Sequence, residues 1–349
     1  DTLTISGAGS FTKSSETTAA PVIILSGTGS VLKLTGSSTV DSVRSQNNGA
    51  TIEISGGVIN PTITNLAFDD GKGAIINFAG TAGVATEFTV TNAMTLGKNT
   101  AGAILTVNGA LGKNSKLNST GGLTLRTDAT FTASHAGGDT LDVAITMGGA
   151  AGTTISNDEW TYLTGTITVS DSAANISPGT SDTLVYAGSD ITLSSGDSLT
   201  INGAGRFDNT TSKSAIVLSG GTLAFEGIGR VDSVSVTSGS SMIVANANPG
   251  ADASTVNVLN ASSGVEIEFP GSNDVLKINN AVTVSSGTIE ISGLGAGILS
   301  GTGSITLEGS SAELKVSNTG SASVNIPVTM GDNAILNIDQ AFSLGQALT

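Results

Sequence analysis

The stretch Asp1-Thr-Leu-Thr-Ile-Ser-Gly-Ala-Gly-Ser-Phe11 returns as Asp197-Ser-Leu-Thr-Ile-Asn-Gly-Ala-Gly-Arg-Phe207. Further phrases match in unbroken order: Val22-Ile-Ile-Leu-Ser-Gly27 with Ala215-Ile-Val-Leu-Ser-Gly220, Val40-Asp-Ser-Val43 with Val231-Asp-Ser-Val234, and Val143-Ala-Ile-Thr-Met-Gly148 with Val324-Asn-Ile-Pro-Val-Thr-Met-Gly331. The displacement falls from 196 residues (Asp1 to Asp197) to 183 (Met147 to Met330), so the second copy has lost residues in small steps at turns. A stack of short units tolerates such losses, because each loop lies at the edge of its own unit and not across a shared core. The duplication divides the chain into a first copy at 1–196, with a joining segment at 156–196, and a truncated second copy at 197–349.

Within each copy, short segments alternate apolar and polar residues and are bounded by Gly, Ser, Asn or Asp: Leu3-Thr-Ile5, Val31-Leu-Lys-Leu34, Thr51-Ile-Glu-Ile54, Ile104-Leu-Thr-Val107. Period-two alternation between turn residues predicts β-strands. No run carries helix formers at a 3.6-residue period without interruption by Gly or β-branched residues, which excludes a helical fold. The 47 glycines raise the competing reading of a disordered chain, but 38% of residues are hydrophobic and supply surface to bury. The chain is expected to fold.

Strands at this cadence suit a sandwich, a barrel or a solenoid. The graded duplication and the Gly-x-Gly corners favour an elongated, right-handed parallel β-helix (β-solenoid), with tandem β-sandwich domains as the alternative. At about 20 to 30 residues per rung, the chain would make roughly 12 to 17 rungs with inward ladders of Val, Ile, Leu and Thr. The phrases Leu25-Ser-Gly-Thr-Gly-Ser-Val31, Gly121-Gly-Leu-Thr-Leu125 and Ile298-Leu-Ser-Gly-Thr-Gly-Ser-Ile-Thr-Leu307 resemble the Gly/Thr/Ser-rich rungs of bacterial autotransporter passengers and related surface adhesins. That resemblance implies a right-handed β-helix exported to the bacterial cell surface. It implies no particular ligand or enzyme activity.

Charge and cysteine content narrow the partners. Thirteen basic residues against 28 acidic ones give a formal charge of -15, which opposes phosphate backbones and anionic lipid headgroups and argues against nucleic acid. The absence of cysteine removes disulfides and thiolate chemistry and accords with bacterial export. No segment has the ~20 continuous apolar residues of a membrane-spanning helix, so no direct membrane insertion by this segment is expected. The start at Asp1 suggests a removed leader or an excerpt of a longer chain. The second copy stops near the point that corresponds to Thr166 in the first, so a longer parent array or head-to-tail self-assembly is expected to cover the end rungs.

Candidate chemistry is sparse. His135 is the only histidine and lies in a Ser/Gly-rich turn context, without the partners a triad or a zinc site needs. Asp69-Asp70 and Asp158-Glu159 are the candidate carboxylate pairs for a polysaccharide-processing enzyme, but Asp69-Asp-Gly-Lys72 reads first as a turn. Gly137-Gly-Asp139 and Gly271-Ser-Asn-Asp274 half-match calcium-binding β-roll turns, which makes Asp139 and Asp274 the candidate calcium ligands. Trp160, Tyr162 and Tyr186 are every Trp and Tyr of the chain. They are either partner contacts that stack on sugar rings or core residues of a broader rung, and Phe342 and Leu344 at matching positions favour the core. The sequence therefore predicts a non-enzymatic structural or adhesive protein (surface layer, sheath, filament or adhesin) that contacts itself or surface glycans. A polysaccharide-processing β-helix enzyme is the rival.

Overall fold

The computed structural model describes residues 1–11, 23–79, 86–109, 115–135, 139–149, 152–158, 161–170, 173–179, 183–238, 240–245, 253–261 and 263–349. Among these residues there are strands and no helix, and every strand pairing between named strands is parallel. The chain forms two compact units, Asp1–Gly188 and Ser189–Thr349. Each is a parallel β-solenoid.

In the first unit, one sheet stacks Thr2–Ile5, Val31–Leu34, Thr51–Ile54, Ala74–Phe78, Ile104–Gly109, Thr130–His135, Thr153–Asn157 and Ala173–Pro178, each paired to the next. The equivalent sheet of the second unit stacks Ser198–Ile201, Thr222–Phe225, Met242–Ala245, Val265–Glu268, Gly287–Ser292, Ala312–Val316 and Ile335–Ile338. Register partners in these sheets lie from 20 residues (Val31 to Thr51) to 31 residues (Ala74 to Leu105) apart along the chain. One strand per turn therefore enters each sheet.

Register puts like residues over like. Leu3, Leu32, Ile52, Ile76, Val107 and Ala133 form one ladder of the first unit, and Leu199, Leu223, Ile243, Ile267, Ile291, Val316 and Ile338 one of the second. Leu32, Ile52, Ile76, Val107 and Ile243 are fully buried. Volume is balanced between neighbouring ladders: Phe131 lies two residues from Ala133, so a wide ring in one column stands beside a methyl in the next.

The corners have their own sequence code. In Thr39–Ser45, Val40 and Val43 are buried and Asp41 and Ser42 between them face outward, so the alternation resets in mid-strand. Residues on the two sides of that bend pair with different strands: Phe11 registers with Val40, and Ile23 with Val43. The identical tetrapeptide Val231-Asp-Ser-Val234 repeats the pattern within Ile228–Val236, with Val231 and Val234 buried. Two outward residues between two inward ones turn the chain without exposing the core.

Tight turns deliver the chain into its strands. Ser30 donates its backbone N–H to Gly27 O at 3.0 Å and accepts the Gly27 N–H on its hydroxyl at 3.0 Å. Asp197 does the same with Ser194, at 3.0 Å to the carbonyl and 2.8 Å onto its carboxylate. The aspartate that opens the second copy is a turn-closing residue, buried to 5% exposure.

Because each inward residue fills a slot between its register partners, truncation there should be far costlier than on the outward face. Ile52→Ala is expected to lose about 2–5 kcal/mol, whereas Glu53→Ala, which removes a partly exposed ion pair to Lys33 at 2.7 Å, should lose about 0–1 kcal/mol. Urea unfolding followed by circular dichroism measures both, and equal losses would contradict the ladder.

Candidate functional site

Three consecutive turns of the first unit, at residues 44–49, 69–73 and 97–102, stack to form a corner of the solenoid. Asp69 O accepts the Lys72 N–H at 2.9 Å, with Gly71 at φ +68° between them. Gly73 is needed because a Cβ there would lie 1.8 Å from Ile104 O of the next turn. Gly97 has φ +73° and would place a Cβ 2.0 Å from Arg126 O. The buried Ser45 hydroxyl donates to Gly73 O at 2.6 Å, which ties the first turn to the second. Backbones packed this closely leave the side chains to project outward.

Those side chains line an open cleft of about 590 Å³. Arg44 and Gln46 come from the first turn, Phe68, Asp69, Asp70 and Lys72 from the second, and Lys98 and Asn99 from the third. Asp69 accepts from Arg44 Nε at 2.5 Å and from Gln46 Nε2 at 3.1 Å. Asp70 reaches the other way, accepting the Asn99 N–H at 2.7 Å, the Thr100 N–H at 2.9 Å and the Thr100 hydroxyl at 3.1 Å. The adjacent carboxylates therefore point to opposite neighbours and act as fasteners. The Asn99 N–H, with the further donors of Thr100 and the Asn99 side chain, holds the Asp70 carboxyl below the usual aspartate range, against the opposing effect of burial. Lys72 and Lys98 are exposed, and among the described residues neither ammonium group has a carboxylate partner. Phe68 is half-buried at the cleft wall.

A second groove, of about 330 Å³, lies on the second unit. Its outward column runs Asp208, Arg230, Thr255 and Lys277 in register. Beside it, Asn279 donates to Asn257 Oδ1 at 3.0 Å and Asn257 to Asp232 Oδ1 at 3.4 Å. The first unit has a related pair, Asn92 donating to Asn65 at 2.6 Å.

The remaining sequence candidates scatter. Asp158 is exposed, donates its backbone N–H to Ala133 O at 2.9 Å, and its pair partner Glu159 lies outside the described residues. His135 and Asp139 stand in strands Thr130–His135 and Asp139–Gly148, and their side chains lie outside the described residues. Asp274 closes its own turn: its carboxylate accepts the Gly271 N–H, it is 5% exposed, and burial raises its pKa against that hydrogen bond. Among the described residues no three His, Cys, Asp or Glu side chains converge as a metal-binding group.

The aromatic residues divide. Trp160 lies outside the described residues. Tyr162 is half-buried in Thr161–Leu163. Tyr186 corrects the partner-contact reading: it is fully buried, and its hydroxyl accepts the Ile167 N–H at 3.2 Å inside the first unit. A broad ring with one polar tip fits a core position where a backbone donor waits.

The sequence pointed to Asp69 and Asp70 but not to Arg44, Lys72 or Lys98, which join them. Their spacing of about one turn of the solenoid was the available signal. It becomes readable only when the length of each individual turn is known.

Asp70→Ala should lower the thermal midpoint near neutral pH, since the Asn99 and Thr100 N–H groups lose their acceptor. A folded-state pKa below the unfolded one gives stability that is present above the usual aspartate range and is lost as pH falls through it. The gap between wild type and variant should therefore narrow on acidification. A gap that widens in acid, measured by thermal unfolding across pH, would contradict the assignment.

Comparison with known proteins adds no relative: no family model, no curated protein and no solved structure matches the chain.

Proposed function

We propose that this protein is a non-enzymatic structural or adhesive component of a bacterial cell surface, a surface-layer, sheath, filament or adhesin element that works through stiffness and many weak lateral contacts. The observation that carries this reading is the in-register stack, which repeats short outward columns of Thr, Ser, Asn and charged residues turn after turn. Repetition of weak contacts multiplies affinity without any single strong site. The engagement of Asp69 and Asp70 with neighbouring turns supports a structural over a catalytic role for that pair, because oxygens held by two or three donors are poorly placed to take up a proton.

The texture of the Gly/Thr/Ser-rich rungs, similar to that of autotransporter passengers and surface adhesins, supports the extracellular setting, and the lack of cysteine accords with it. Self-association or incorporation in a longer chain, and contact with surface glycans, follow from the same reading.

Antibodies raised against the purified chain test it directly. Immunogold electron microscopy of intact source cells should place label on the outer surface, in a layer, on filaments or at contact points. Label confined to the cytosol of permeabilised cells would overturn the proposal.

A further inference from the structure

We propose that the cleft over the stacked turns at 44–46, 68–72 and 98–99 binds an anionic saccharide unit, one that bears a carboxylate or a sulfate. The proposal deepens the surface-adhesive reading and rests on it. Its basis is a local reversal of charge. The chain carries -15 overall, yet three of its 13 basic residues, Arg44, Lys72 and Lys98, line one cleft. The cleft also contains Asp69 and Asp70. Asp69 is already paired with Arg44, and Asp70 is turned onto the next backbone turn. Two ammonium groups are left facing solvent without a counter-ion among the described residues. A single anionic group is what such a pair lacks.

The neutral lining argues for a sugar as the carrier of that anion. Phe68 offers part of an aromatic face, and a pyranose ring has an apolar C–H face to lay against it. Gln46 spends an amide N–H on Asp69, the Asn99 side chain hydrogen-bonds Asp70, and each keeps its amide oxygen to accept from hydroxyl groups. An extended phosphodiester fits poorly, because the charge of the whole chain repels a long polyanion while a short saccharide meets only the local field. The Ser45 hydroxyl ties the first turn to Gly73 O of the second, and Gly73 and Gly97 each pack against the backbone of the turn that follows, so the cationic groups spring from closely stacked turns. The backbone then needs little ordering on binding, and the cost that remains falls on the two lysine side chains.

The test uses the full 349-residue chain and isothermal titration with three probes: a uronate oligosaccharide, a sulfated oligosaccharide and a neutral oligosaccharide of similar length. Wild type should bind at least one of the anionic probes and not the neutral one, and added salt should weaken that binding. Response to only one anionic probe would support the proposal and name the group recognised. The double variant Lys72→Ala/Lys98→Ala changes two exposed residues and should keep the wild-type unfolding midpoint while it binds at least about tenfold more weakly. Failure to bind either anionic probe, equal binding of the neutral probe, or unchanged affinity in the double variant would each overturn the proposal. If those results came with immunogold label on the cell surface, the cleft assignment alone would fall. Cytosolic label would remove the reading beneath it.

Discussion

The inward ladder is the interaction on which everything else in this chain depends. Parallel strands about 4.8 Å apart place each Val, Ile or Leu over its register partner, and a one-residue slip would turn the whole set outward. Burial of such a side chain is worth roughly 1.5–3 kcal/mol. Leu32, Ile52 and Ile76 lie directly over one another at zero exposure, so an error in one turn propagates to the next. The corner tetrapeptide with valines at both ends protects that register, since it changes direction while both valines stay inside.

In-register stacking also imposes a burden on the outward face: like charges are brought together whenever like residues are stacked. Glu266 lies in register with Glu290, and the structure relieves the pair with specific donors. Ser292 donates to Glu266 at 2.6 Å, while Lys315 at 2.8 Å and Ser317 at 2.6 Å donate to Glu290. Lys315, through its hydrogen bond and with Ser317, keeps the Glu290 carboxyl below the usual glutamate range. Asparagine stacks need no such help, because an amide can accept from one neighbour and donate to the other, as Asn257 does in accepting from Asn279 and donating to Asp232. The cleft near Asp69 obeys the same economy: its carboxylates are used to fasten turns, and its unmatched cations are the exception that draws attention.

Much of this architecture was legible in the sequence, for a physical reason. Short alternating segments between glycines leave few choices, and the stepwise shortening between Val40-Asp-Ser-Val43 and its copy fits stacked turns better than a shared core. Asp274 was legible as a turn residue too, but the depth of its burial was not. The joining of Arg44 to Asp69 and of Asp70 to Asn99 was illegible because turn lengths vary from 20 to 31 residues, so no fixed period brings those positions together. Tyr186 shows the limit from the other side. The sequence left this aromatic open between a partner contact and a core residue, and the Ile167 N–H that it satisfies places it in the core.

Disulfide mapping in a chain without cysteine tests the parallel, in-register stack most directly. Lys33 and Glu53 are register partners on the outward face, and Asn77 lies one turn further on. Strands one turn apart bring Cα atoms within the roughly 4.4–6.8 Å that a disulfide spans, and strands two turns apart do not. The double variant Lys33→Cys/Glu53→Cys should therefore oxidise readily to an intramolecular disulfide, and Lys33→Cys/Asn77→Cys should remain reduced under the same conditions. Cross-linking of the second pair but not the first would contradict the solenoid.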